Sequence, residues 1–119
     1  MEKVNLSNKF DLFDEYWSPK IVGELNGQYV KLAKLLGEFV WHQHEAEDEL
    51  FLVVKGRLVI KLRQRDVVLN AGEFFIVPRG LEHKPVAERE AHVLLFEPQS
   101  TLHTGSLQSE RTVHHQETI

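Results

Sequence analysis

The stretch from residue 20 to 97 is a succession of short apolar runs separated by turn residues, and this pattern most restricts the possible folds. Asn26-Gly27, between two such runs, strongly favours a two-residue β-hairpin, because both central positions of that turn need positive φ. Short strands with turn signals at this spacing are typical of an antiparallel β-sandwich or barrel. The predicted strands are Lys20–Leu25, Gln28–Leu36, Leu50–Val54, Leu58–Leu62, Val67–Leu69, Phe74–Val77 and Ala91–Phe96.

The chain divides into three predicted parts within one domain, since 119 residues leave no room for a second core. Residues 1–19 form an N-terminal extension, 20–97 the β-barrel and 98–119 a polar C-terminal tail. Only Asn8–Trp17 is expected to contain a helical turn, capped by Ser7 or Asn8. The tail is sparsely apolar and need not join the core.

Composition excludes several classes of function. There is no cysteine, so any metal must be held by nitrogen and oxygen donors. The net charge of −4 and the lack of a basic cluster argue against a nucleic-acid partner. No apolar stretch approaches the roughly 18 residues of a membrane span, and the first residues lack a signal peptide's apolar run. We therefore expect a cytoplasmic protein without a membrane partner.

Three histidines and one glutamate stand out as candidate metal ligands. His42 and His44 are two residues apart, so on a strand both side chains face the same way. Glu49 follows a polar turn and opens a predicted strand, which would fix it facing inward; Asp48, one residue earlier, is its competitor. His83 comes directly after Pro78-Arg79-Gly80, a turn that can bring it back beside the other two histidines.

These residues lie in two blocks that closely resemble the paired motifs of the cupin family. The first block, from Gly37 to Gly56, departs from its motif at one place: four residues separate Gly37 from His42, where the motif has five. The second block matches without a gap, but Ala87 stands where the family often has asparagine. The matching positions are Gly37, His42, His44, Glu49 and Gly56 in the first block, and Gly72, Pro78, Gly80 and His83 in the second.

The resemblance implies an all-β fold, a single jelly-roll barrel, with a divalent metal in its mouth on His42, His44, Glu49 and His83. Three neutral imidazoles and one carboxylate would leave a divalent centre with a net charge of +1. This mixture of nitrogen and oxygen donors suits Mn, Fe, Co or Ni, and Zn is possible. The implied function is action on a small organic ligand, sugar-like or an oxoacid, as a metal-dependent isomerase, epimerase or oxygenase. The alternative is a non-catalytic metal-bound binding or sensor protein. We also expect a homodimer, paired through the edge hairpin Lys20–Leu36.

The surroundings of the metal are predicted to be largely apolar. Alternation along the strands places Phe51, Val53, Pro85 and Ala87 on the inward face. For the last strand, either Ala91, Val93 and Leu95 or His92, Leu94 and Phe96 line the interior. Gln28, Lys34, Glu73 and His92 are the candidate acid or base groups, and each is better explained as structural or solvated. The adjacent pair His114-His115 is left out of the site, and no catalytic residue or organic cofactor is predicted.

Overall fold

The computed structural model describes residues 2–101 and 116–119, and its architecture is antiparallel β with one short helix. The antiparallel β class is therefore as predicted. The strands that the structure describes form one connected sheet whose hydrogen bonding does not close into a ring. The elements are α1 (Leu6–Phe10), β1 (Lys20–Leu25), β2 (Gln28–Glu38), β3 (Glu49–Lys55), β4 (Arg57–Leu62), β5 (Asp66–Asn70), β6 (Phe74–Val77) and β7 (His83–Pro98).

Strand β7 organises the sheet, because it contacts three other strands. The strand order is β1-β2-β7-β3-β6, and β4 joins β5 to the first half of β7. Leu62 pairs with His83 in that half, whereas Leu50 and Val30 both pair with Phe96 in the other. The predicted final strand Ala91–Phe96 lies within β7, but its predicted bounds were too short, since the strand runs without a break from His83 to Pro98.

Two turns explain why the chain reverses where it does. Asn26 and Gly27 have φ of 51° and 76°, and they join β1 to β2 as the predicted hairpin. Gly56 joins β3 to β4 with φ of 88°, and an added Cβ there would lie 2.9 Å from the Glu90 carbonyl oxygen. Gly56 is therefore required both by its backbone conformation and by the close approach of β7.

The N-terminal extension lies against the sheet. Helix α1 begins earlier than predicted, because Asn5 is its N-cap and accepts a hydrogen bond from the Asn8 backbone N–H; Ser7 and Asn8 lie inside the helix. Further along, Trp17 N–H donates to the Lys34 carbonyl at 2.9 Å. The Lys34 ammonium donates to the Phe13 carbonyl at 2.6 Å. The extension is thus fixed along β2 by main-chain contacts.

Two apolar clusters stabilise the fold. The larger one fills the interior between the two halves of the sheet, and it includes Val53, Leu58, Ile60 and Val93, all fully buried. The smaller one lies on the outer face of the sheet, where the extension covers it; it contains Phe10, Phe13, Val22 and Leu32. Since β2 is covered on both faces, consecutive residues of that strand are buried.

The last residues of the chain return to the edge strand. Ile21 N–H donates to the Glu117 carbonyl at 2.7 Å, and Ile119 N–H donates to the Ile21 carbonyl at 2.9 Å. The outer edge of β1 at Ile21 is therefore covered by the same chain. Among the residues with described positions, no helix is long and apolar enough to cross a membrane.

Candidate metal centre

Main-chain hydrogen bonds bring the two blocks of the sequence together. His42 N–H donates to the His83 carbonyl at 3.0 Å, and His83 N–H donates back to the His42 carbonyl at 2.9 Å. Gly80 N–H donates to the His44 carbonyl at 2.8 Å, so the Pro78–Gly80 turn is anchored beside the second histidine. The prediction placed His42 and His44 on a regular strand. In the structure this segment is not a regular strand, and His42 forms an isolated bridge with His83.

The four predicted ligands form one buried group. One donor atom from each of His42, His44, Glu49 and His83 lies within 4.8 Å of the other three. Glu49 Oε1 is 3.2 Å from His44 Nε2 and 3.7 Å from His83 Nε2. Donors bound at about 2.1 Å to one ion lie at most about 4.2 Å apart. The spread of the four donor atoms is thus only slightly larger than the spread around one bound ion.

The orientation of two imidazole rings is set by the backbone. His42 Nδ1 lies 2.9 Å from the Val40 carbonyl oxygen, and His83 Nδ1 lies 2.9 Å from that of Leu81. Because a carbonyl only accepts, Nδ1 carries the hydrogen in both rings and Nε2 presents its lone pair to the centre of the group. Burial, and next the neighbouring His83, lower the pKa of His42 to about 4, which favours the neutral ring that a metal requires.

The inward-facing donor atoms are buried without hydrogen-bond partners. Within residues 2–101 and 116–119, none of these atoms has a hydrogen bond, although native interiors pair nearly all of their polar atoms. They are His42 Nε2, Glu49 Oε1, His83 Nε2 and the two ring nitrogens of His44, of which only one can bind a shared ion. Lone pairs that converge in this way fit a bound cation, and three imidazoles with one carboxylate are a set that first-row divalent ions accept.

Asp48, the competitor of Glu49, is placed elsewhere. It is exposed, and its Oδ1 accepts a hydrogen bond from the Arg79 backbone N–H at 2.8 Å. Glu49 opens β3 and faces inward with Phe51 and Val53, as expected. Of the two carboxylates, Glu49 is therefore the one that lies in the buried group.

Comparisons with known proteins agree with this geometry. The family model for the cupin domain, Cupin_2, matches residues 29–97, more than half of the chain. The chain belongs to the cupin family. The matched range contains all four residues of the buried group, together with the strands that position them.

Relatives of this cupin include both solved and uncharacterised proteins. The crystal structure of a cupin-2 domain containing protein from Shewanella frigidimarina is 44% identical, with a TM-score of 0.80; the match covers 81% of this chain and 94% of that one. Protein NMB1881 from Neisseria meningitidis is 29% identical with a TM-score of 0.76, over 82% of this chain and all of that one. The uncharacterised protein YdbB of Bacillus subtilis is 38% identical over 64 residues, which are 53% of this chain and little more than half, 57%, of that relative.

Sequence reasoning missed two buried charged residues beside the site of this cupin. Lys31 and Glu97 are almost fully buried, and Lys31 Nζ lies 2.8 Å from Glu97 Oε1. The signal was available: Glu97 continues the inward alternation of Ala91, Val93 and Leu95, which proved to be the interior set. The charge of Glu97 and the following proline made it look like the end of the strand instead.

Glu97 affects the ionisation of Glu49. Burial, and next the Glu49 carboxylate, hold the pKa of Glu97 well above its usual range, despite the nearby Lys31. Burial alone would raise the pKa of Glu49, but its contacts with Glu97, His44 and His83 outweigh that effect and hold it well below its usual range. These opposite directions favour the proton on Glu97 and the ionised form of Glu49, which is the form that binds a metal.

Among the described residues, none of the other possible acids or bases belongs to the buried group. Lys34 donates to the Phe13 carbonyl, and His92 stacks on Phe10 at 4.5 Å with Glu90 at 2.6 Å. Glu73 accepts from the Asn70 backbone N–H, and Gln28 lies at the start of β2. The pair His114-His115 falls outside the described residues.

Proposed function

We propose that this cupin binds one divalent transition metal through His42, His44, Glu49 and His83, and that the metal binds a small organic ligand. The observation that supports this proposal is the convergence of buried donor atoms that lack hydrogen-bond partners within the described part of the chain. When bound, a divalent ion supplies Lewis-acid polarisation of a ligand oxygen. Mn, Fe, Co, Ni and Zn all suit this set of donors.

The residues of the chain prepare the site for this role. The Val40 and Leu81 carbonyls fix the tautomers of His42 and His83, so their Nε2 lone pairs are aligned before any ion binds. Glu49 contributes a single negative charge, which leaves a divalent centre with a net charge of +1. Such a centre favours a ligand whose binding group is anionic, such as a carboxylate or an enolate.

Metal-dependent turnover is the first candidate activity, of the isomerase, epimerase or oxygenase type. The second candidate is a non-catalytic binding or sensor role. It is favoured by the cavity beside His42 and Glu49, on whose described wall no other side chain is a general acid or base. A jelly-roll barrel, a homodimer and a cytoplasmic location complete the proposal. A mass of one chain by light scattering would overturn the dimer.

Turnover assays separate the two candidates. The protein, loaded in turn with each of the five metals, is incubated with sugars, keto acids and catechols, and products are detected by mass spectrometry. An enzyme gives metal-dependent turnover that is lost in His44→Ala and retained in Asp48→Asn. Turnover that survives His44→Ala would exclude the metal centre from the reaction. A compound that raises the melting temperature but is recovered unchanged would instead support the binding role.

A further inference from the structure

The cavity beside the proposed metal centre is almost entirely apolar. It adjoins His42 and Glu49, and its volume is about 30 Å³. This exceeds the roughly 10–15 Å³ that one water needs, yet it is small for a ligand pocket. Its interior wall consists of aliphatic and aromatic side chains, chiefly Ala33, Leu35, Phe51, Pro85, Val93 and Leu95.

Trp17 forms part of the wall of this cavity, and it packs against the interior apolar cluster. Its ring stacks on Phe39 with centroids 4.7 Å apart and planes 13° apart. Its indole N–H donates to the Leu36 carbonyl at 2.9 Å, so that polar group is already occupied. Apart from this indole, His42 and Glu49 are the polar side chains that the described residues contribute to the cavity wall.

The backbone of Trp17 is held in an uncommon conformation. Its φ is 56°, in the left-handed region that bulky side chains rarely adopt. The preceding Tyr16 pairs with Lys34, and Trp17 N–H donates to the Lys34 carbonyl. Main-chain hydrogen bonding to β2 accompanies this conformation, in which the ring lines the cavity.

We infer that Trp17 determines specificity, and that the site takes a small acid with an oxygen-bearing head and a short apolar body, not a sugar. The inference rests on the proposed function for the head, which would bind the metal. The body would occupy the apolar cavity under Trp17. A sugar's remaining hydroxyls would be buried there without partners, and each such hydroxyl weakens binding by about tenfold.

Two hydroxy acids with the same head test the class of ligand. Calorimetry compares α-hydroxyisovalerate, whose body is an isopropyl group, with threonate, whose body carries further hydroxyls. In the Co²⁺-loaded protein we expect α-hydroxyisovalerate to bind at least about tenfold more tightly. Equal or tighter binding of threonate, or binding of neither acid, would overturn the inference.

Variants of the two tryptophans test the role of Trp17. Trp17→Gly suits the positive φ and opens the wall, so the affinity for the larger phenyllactate relative to α-hydroxyisovalerate should rise by about tenfold or more. Trp17→Phe should change this ratio less. Trp41→Gly is the matched control, because Trp41 packs on Arg63, with its guanidinium 3.7 Å from the ring centroid, and does not line the cavity. An unchanged ratio in folded Trp17→Gly would contradict the assignment.

Failure of this inference can be told apart from failure of the proposed metal centre. The same two acids are titrated into the His44→Ala variant and into metal-free protein. If α-hydroxyisovalerate binds these as tightly as the Co²⁺-loaded protein, the metal has no part in binding, although the apolar selection stands. If the metal strengthens binding but threonate is preferred, the metal centre stands and the ligand class is wrong.

Discussion

Two regions of the interior between the halves of the sheet are equally buried but differ in chemistry. In one region Val53 and Leu58 are fully buried among aliphatic neighbours. In the other, His44 is 3% exposed and Glu49 is 2% exposed, and their inward atoms lack hydrogen bonds within the described ranges. An interior with unpaired polar atoms is destabilised unless something binds there. Burial alone therefore does not distinguish the apolar core from the candidate site. Buried polar atoms without hydrogen-bond partners do distinguish them.

The largest effect should come from a deletion in the aliphatic region. Leu58→Ala removes a fully buried side chain, so we expect the free energy of unfolding to fall by about 2–5 kcal/mol. Metal binding by the folded fraction should be unchanged, because Leu58 does not belong to the donor group. Urea denaturation and metal titration of the variant check both statements. A loss of metal affinity in folded Leu58→Ala would break the separation of the two regions.

Low pH should destabilise the metal-free protein through His42, which belongs to the donor group. The pKa of His42 is about 4 in the folded protein and about 6.5 when the chain is unfolded. Between these values the unfolded state binds more protons, so the stability of the metal-free protein is complete above about pH 6.5 and falls as the pH drops to about 4. The expected loss is roughly 3 kcal/mol.

The variant His42→Leu isolates this effect. It should lack the part of the pH dependence that comes from His42 while keeping the ring's apolar volume approximately. Thermal melting of both metal-free proteins at a series of pH values is the measurement. Parallel losses of stability in the two proteins would show that His42 is not the group responsible.

Alanine substitutions at two glycines compare the backbone packing of the two regions. Gly56→Ala combines a positive φ with a Cβ only 2.9 Å from the Glu90 carbonyl oxygen. We expect it to lower the free energy of unfolding by about 1–3 kcal/mol. Gly80→Ala is the matched control in the donor region, where φ is 78° and no atom lies within 4 Å of the added Cβ. It should cost less. Chemical denaturation that ranks the two variants in the opposite order would contradict the close packing at Gly56.

The smallest effect is expected outside both regions. Asp48→Asn alters an exposed side chain, and its remaining oxygen can still accept from the Arg79 N–H. We expect a change within about 0.5 kcal/mol in the free energy of unfolding and no change in metal affinity. Metal titration that shows weaker binding in this variant would reopen the choice between Asp48 and Glu49.

The sequence predicts best where local chemistry decides the structure. Asn26-Gly27 specifies its hairpin because few other residues tolerate positive φ at both positions, and Glu49 faces inward because it starts an alternating strand. The sequence predicts the structure less well where contacts between distant segments determine it. The continuation of β7 through Pro85 depends on pairing with Ile60, and the helix start depends on Asn5 and not on Ser7 or Asn8.

The polar and aromatic neighbours of the site show the same limit. Lys31 and Glu97 are seen as a pair only once β2 and β7 are aligned, since they are far apart in the sequence. Trp17 reaches the cavity through a backbone conformation that its residue type disfavours. The four residues of the donor group can be identified from the sequence alone. The residues that affect its ionisation and line its cavity can be identified only once the register of the sheet is known.

The central claim is tested most directly by elemental analysis of the untagged protein by plasma mass spectrometry, beside His44→Ala and Asp48→Asn. The account predicts about one first-row divalent ion per chain in the native protein and in Asp48→Asn. It predicts loss of that ion in His44→Ala, which removes one of the four buried donors. A native protein that stays free of metal after incubation with Mn, Fe, Co, Ni and Zn, or equal retention in His44→Ala, would contradict the metal centre.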